Sequence, residues 1–136
     1  RLVTVGDYPI HHLGWQIHLS TDNHLWFNSR TPTGEYTAAR SDSPPPLGKK
    51  ITVVGIRYPS GKVEMFVDGV RQSQSGAGAT MSYPAATQIR IGTQYSGGSP
   101  FVGTLYEYEV YSGILSTAEA RRTSLQDFLS EGDVGE

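Results

Sequence analysis

Residues 14–28 constrain the fold of this chain more than any other stretch. Gly14-Trp-Gln-Ile-His-Leu-Ser20 and His24-Leu-Trp-Phe-Asn28 alternate in polarity on either side of Thr21-Asp22-Asn23. Alternation with period two marks strands that bury one face, and the short polar turn between them predicts an antiparallel hairpin. Its register follows from burial. A three-residue loop pairs Ser20 with His24, Leu19 with Leu25, His18 with Trp26, Ile17 with Phe27 and Gln16 with Asn28. Leu19, Leu25, Ile17 and Phe27 then share one face. A two-residue loop sets Ile17 against Asn28 and His18 against Phe27, which mixes apolar and polar side chains on both faces. Burying one face selects the three-residue loop.

The rest of the chain repeats this grammar of short apolar runs and turns. Residues 2–5 read as a strand entering the fold, and residues 34–40 as a weaker one. Ser41-Asp-Ser-Pro-Pro-Pro-Leu-Gly48 is a stiff loop inside one domain. Residues 50–58 are β-branched and largely apolar, which predicts a central strand. Pro59-Ser60-Gly61 turns the chain into residues 62–67, and Asp68-Gly69 turns it again into Val70-Arg71. Residues 72–84 are small and polar, hence loop. Residues 87–92 and 103–111 are the next strands. Ser116-Thr-Ala-Glu119 fits a capping box, and Ala118, Leu125, Phe128 and Leu129 then recur at helical spacing. Residues 1–130 form a single domain, and 131–136 a polar tail.

Composition narrows the class. The chain has 136 residues, enough for one domain with a core. Its 16 glycines, and 8 tyrosines against 4 phenylalanines, favour an all-β sandwich over a helical fold. Only 18% of residues are charged and the net charge is −2, so no basic field attracts nucleic acid or an anionic membrane. No apolar stretch reaches the length of a membrane span. Cysteine is absent, which excludes disulfides, thiolate catalysis and Cys-based zinc sites.

Several segments, in order, resemble the laminin-G-like branch of the concanavalin A-like lectin/glucanase superfamily. Residues 51–58 followed by Gly61-Lys-Val-Glu-Met-Phe-Val-Asp-Gly69 resemble that family's central hairpin with its Y-V-D-G-type turn. Ile89-Arg-Ile-Gly92 resembles its L-x-I-G, Phe101-Val-Gly103 its F-x-G, and Val110-Tyr111 with Leu115-Ser116 and Glu119 its last strand and short helix. The resemblance spans roughly residues 14–129. It implies an antiparallel two-sheet jelly-roll sandwich with a short C-terminal helix, and a chain that lacks some of the family's N-terminal strands. Neighbouring domains or a neighbouring chain are then expected at the N-terminus. The family often carries a calcium-binding Asp after F-x-G-x-I. Tyr106 stands there, so neither calcium nor another cofactor is expected.

The hairpin register places Gln16, His18, Trp26, Asn28 and His24 on the face opposite the core. An aromatic ring ringed by amides and an imidazole suits a sugar, whose apolar face stacks while its hydroxyls exchange hydrogen bonds. The alternative is a packed second face. Tyr95, in the glycine-rich run 94–100, is a rim contact by the same reasoning or a side chain folded back on the loop's own backbone. Glu107 and Glu109 leave one strand face roughly 6.5–7 Å apart at the backbone. Such pairs serve glycoside hydrolysis at carboxyl separations of about 5–5.5 or 6.5–9.5 Å, yet the Glu-x-Asp-x-x-Glu run of the glucanase branch is missing, and a solvated outer stripe explains both. His11, His12, His18 and His24 lack the spacing of a zinc site. Asp22-Asn23 and Asp68-Gly69 are explained by turns. No Ser–His–acid order, P-loop or dinucleotide fingerprint occurs.

The expectation is a non-catalytic carbohydrate-binding or adhesion module of a larger extracellular or surface protein, with a glycan or a surface protein as partner. Trp26 is its platform, His18, Gln16 and Asn28 its polar readers, and Tyr95 its rim contact. The other readings are a protein-interaction module in a phage or surface assembly and a glycan-cleaving enzyme of the same fold, either glycoside hydrolase or polysaccharide lyase.

Overall fold

The computed structural model describes residues 3–5, 14–30, 36–74, 76, 89–92, 100–110, 113, 116 and 118–122. Its strands are β1 (Val3–Val5), β2 (Gly14–Leu19), β3 (Leu25–Arg30), β4 (Tyr36–Arg40), β5 (Val53–Arg57), β6 (Val63–Val67), β7 (Val70–Arg71) and β8 (Ile89–Ile91). They build two antiparallel sheets, a five-stranded one in the order β4-β3-β2-β1-β8 and a three-stranded one in the order β5-β6-β7. A short helix, α1, covers 118–122.

The turns explain the connections. The β2–β3 hairpin has the predicted register, with Ile17 opposite Phe27 and His18 opposite Trp26. Asn23 closes its loop at φ 60°, a left-handed conformation that asparagine tolerates. Asp68 and Gly69 both have positive φ, 49° and 77°. That is the conformation a two-residue hairpin turn needs, and it joins β6 to β7.

The sheets meet through Leu25, Phe27, Ala39, Val63 and Met65, flanked by Trp15, Ile17, Ile51, Val53 and Val67. Trp15 meets Phe27 edge-on at 5.9 Å between ring centroids. Gly55 lies under the Phe27 ring, and a Cβ there would stand 2.9 Å from it. The three-stranded sheet is covered on its other side too, where Ile56 and Phe66 hold Ala120 of α1. Ser116 and Glu119 form the predicted capping box, through bonds of 2.8 and 3.2 Å. Burial on both faces accounts for the nearly continuous apolar runs of β5 and β6.

Two strand expectations are corrected. β5 is an end strand of its sheet among the described residues, and the central place falls to β6. Residues 100–110 carry no strand. Among the described residues five strands face three. Residues 101–110 instead border a cleft of about 740 Å³ between the sheets, whose walls include Trp15, Ile17, Phe27 and Val53. Leu125, Phe128, Leu129 and the tail 131–136 lie outside the described residues.

Candidate functional site

Strand pairing sets side chains of the five-stranded sheet in rows. Leu25 and Phe27 face the core, so Trp26 between them leaves by the opposite face. His18, Trp26 and Arg40 stand opposite one another across β2, β3 and β4, and Gln16, Asn28 and Ala38 form the next row. Sequence alternation thus placed Gln16, His18, Trp26 and Asn28 on one face.

The solvent exposure expected of that face is corrected for three of the four residues. Gln16 is 1%, His18 7% and Asn28 4% exposed, while Trp26 is half-buried. Period-two alternation reports the face, but it does not distinguish a wet face from a covered polar one. The covered groups are partly satisfied: Asn28 Nδ2 lies 3.5 Å from His18 Nδ1. Gln16 Oε1 has no hydrogen-bond partner among the described residues, an unfavourable state for a buried amide. Tyr95, His11 and His12 lie outside the described residues.

Trp26 is held from the hairpin loop. Its Nε1 donates to both carboxylate oxygens of Asp22, at 3.2 and 3.3 Å. Arg40 Nε donates to Asp22 Oδ2 at 3.1 Å, and the guanidinium carbon lies 5.8 Å from the centre of the Trp26 ring. The backbone amide of His24 adds a third donor to Asp22 at 3.1 Å. Desolvation pushes the Asp22 carboxyl up, but the bonds from His24, Trp26 and Arg40 and the charge of Arg40 outweigh it and hold it below the ordinary value. The loop is anchored below by Ser41, whose hydroxyl accepts from the Leu25 amide at 3.0 Å and whose carbonyl lies 2.8 Å from His24 Nδ1. Thus the indole and guanidinium form one oriented, partly exposed surface.

Sequence reasoning read Asp22 only as a turn residue and missed Arg40. The three-residue loop was the available signal for Asp22, because it brings position 22 back beside position 26. Arg40 needed the β3–β4 register, which the sequence of residues 36–40 does not by itself fix.

Glu107 and Glu109 are exposed and border the cleft, on the core side of the sheet, away from the face that carries Trp26. Among the described residues no cluster of three or more His, Cys, Asp or Glu side chains could hold a metal. The position where the family often has its calcium-binding Asp does not fit calcium here. Tyr106 offers no carboxylate, and the Lys50 ammonium stands 4.4 Å over its ring. Asp68 Oδ1 accepts the Thr52 amide at 2.8 Å, which makes it a structural turn residue.

Fold and site together define an antiparallel β-sandwich with an aromatic residue fixed on the outer face of its larger sheet. The laminin-G-type family model of the concanavalin A-like lectin/glucanases superfamily matches residues 2–121, and the chain belongs to this superfamily. As its name says, the superfamily includes both lectins and sugar-cleaving enzymes. No curated protein and no solved structure matches the chain. Among the described residues no helix is long and apolar enough to cross a membrane.

Proposed function

We propose that this chain is a non-catalytic carbohydrate-binding or adhesion module of a larger extracellular or surface protein. The observation that carries this reading is the half-buried Trp26 indole, pinned by Asp22 in a row with Arg40 and His18. A sugar stacks its apolar face on such a ring and exchanges hydrogen bonds with the polar groups beside it. His18 is the inner polar reader. Gln16 and Asn28 back the site one row further along, and Tyr95 is its rim contact. Affinity at one such site is modest, and attachment to other modules raises it.

The test is a glycan array probed with and without calcium. Trp26→Ala abolishes retention while the far-ultraviolet circular dichroism stays that of the native sandwich. Retention unchanged by the substitution refutes the site.

A second reading, a protein-docking module, is favoured by one observation. Leu19, Leu47, Val102, Leu105, Tyr106 and Val110 are exposed and all border the inter-sheet cleft. An exposed apolar rim of that kind marks contact surfaces. Concentration-dependent association that Leu105→Ser with Val110→Ser abolishes would favour it.

A further inference from the structure

We propose that Arg40 makes the Trp26 surface selective for sugars that carry a carboxylate, such as hexuronic acids; this rests on the carbohydrate-binding reading of the same site. Arg40 stands directly opposite Trp26 on the neighbouring strand. Its side chain is 33% exposed, and among the described residues its one side-chain hydrogen bond runs from Nε to Asp22. The two terminal nitrogens make no hydrogen bond among the described residues, and the nearby Asp42 carboxylate, which feels the charge of Arg40, is the group a ligand carboxylate has to compete with. A guanidinium fork matches a carboxylate through two parallel bonds, a geometry that lysine cannot reproduce.

Position matters as much as charge. Asp22 holds the Nε edge of the guanidinium and, through its other contact, the indole Nε1. The same carboxylate thus orients both the stacking ring and the fork, which lie 5.8 Å apart from ring centre to guanidinium carbon. The guanidinium stands over the indole at a cation–π distance, so a pyranose meets the uncovered part of the indole beside it and turns its carboxylate toward the fork. A neutral sugar finds the platform but gains no two-bond ion pair with the guanidinium. With a net charge of −2 the chain has no general attraction for acidic glycans, so any preference must come from this local pair. Asp22 is a positioning residue in this scheme, and Arg40 the specificity determinant.

The experiment is isothermal titration of the full chain with a panel of uronic-acid oligosaccharides, each paired with its carboxyl-reduced form. The native protein binds at least one acidic member tenfold or more tighter than its reduced counterpart. Arg40→Lys, which keeps the charge and loses the fork, brings the two affinities together: the acidic form loses at least tenfold more affinity than its reduced counterpart. Trp26→Ala loses both. Equal affinity for acidic and reduced forms, or a preference that survives Arg40→Lys, overturns the proposal while leaving sugar binding intact. No binding by any member of any pair overturns the carbohydrate-binding reading along with it. A sulfated neutral oligosaccharide serves as the control for charge: binding as tight as the carboxylate form also counts against the fork.

Discussion

Adding one methyl group at Gly55 tests the sandwich on which every statement about the Trp26 face depends. In Gly55→Ala the new Cβ would lie 2.9 Å from Phe27 Cδ1 and Cγ and 3.0 Å from Cδ2. Three ring atoms at that distance mean that the methyl meets the ring broadside, and the ring must retreat. Phe27 is 3% exposed and braced by Trp15, so retreat strains its neighbours. Overpacking of this kind costs about 1–3 kcal/mol. Replacing a strand glycine by alanine returns about 0.5–1 kcal/mol, because the unfolded chain loses freedom. The net expectation is a loss centred on about 1 kcal/mol, with an upper end of about 2.5 kcal/mol. For a chain of 136 residues each kcal/mol corresponds to about 3–4 °C, so the thermal midpoint falls by about 4 °C, and by up to about 10 °C. The assay is thermal and urea unfolding of Gly55→Ala, Phe27→Leu and the double variant. Leucine makes room, so the double variant is more stable than the sum of the single losses predicts. An alanine variant at least as stable as the native protein, with additive behaviour in the double variant, would show that Phe27 does not face Gly55. Trp26 would then not leave by the opposite face.

Glu64 is 3% exposed and accepts from Tyr58, Lys62 and Arg71 at 2.9, 2.6 and 2.5 Å. Desolvation raises its carboxyl, yet these three partners outweigh that and hold it below its ordinary 4.5. Its stabilisation is therefore complete above about pH 4.5 and is lost as pH falls through the lowered native value. Urea midpoints measured from pH 7 to pH 3 show this acid step, and Glu64→Gln removes it at a cost of about 1–2 kcal/mol at neutral pH, since both cations are partly exposed. Ser116→Ala removes the hydroxyl that caps α1 and costs about 1 kcal/mol in the same unfolding assay; no change would mean that Ala120 alone anchors the helix.

The parts of this fold that a sequence can state are those fixed within a few residues. The β2–β3 register was legible because only one loop length sorts Ile17, Leu19, Leu25 and Phe27 onto one face. The Asp68-Gly69 turn and the Ser116–Glu119 cap were legible because each residue type there has a local backbone reason. The strand expected at 103–111 was not, because a strand needs an edge to join, and the supply of edges is a property of the whole sheet. The same limit hid the end position that β5 has among the described residues.

The candidate site divides along the same line. Which side of the sheet Trp26 occupies is a local matter, settled by alternation. Whether that side is wet depends on what other chain segments cover it, and Gln16, His18 and Asn28 show that a polar stripe can be covered. Burying those residues raises the value of each remaining polar contact, because a lost partner there is not replaced by water. The exposed end of the row has the opposite character. Asp22 and Arg40 stay partly in solvent, where an isolated ion pair is worth little for stability. Their placement around Trp26 is therefore poorly explained by stability, and better explained by the orientation they impose on the indole. That contrast gives a discriminating result: Asp22→Asn should barely move the thermal midpoint while broadening the near-ultraviolet circular dichroism of the indole. A large loss of stability with an unchanged indole signal would assign Asp22 to the fold instead.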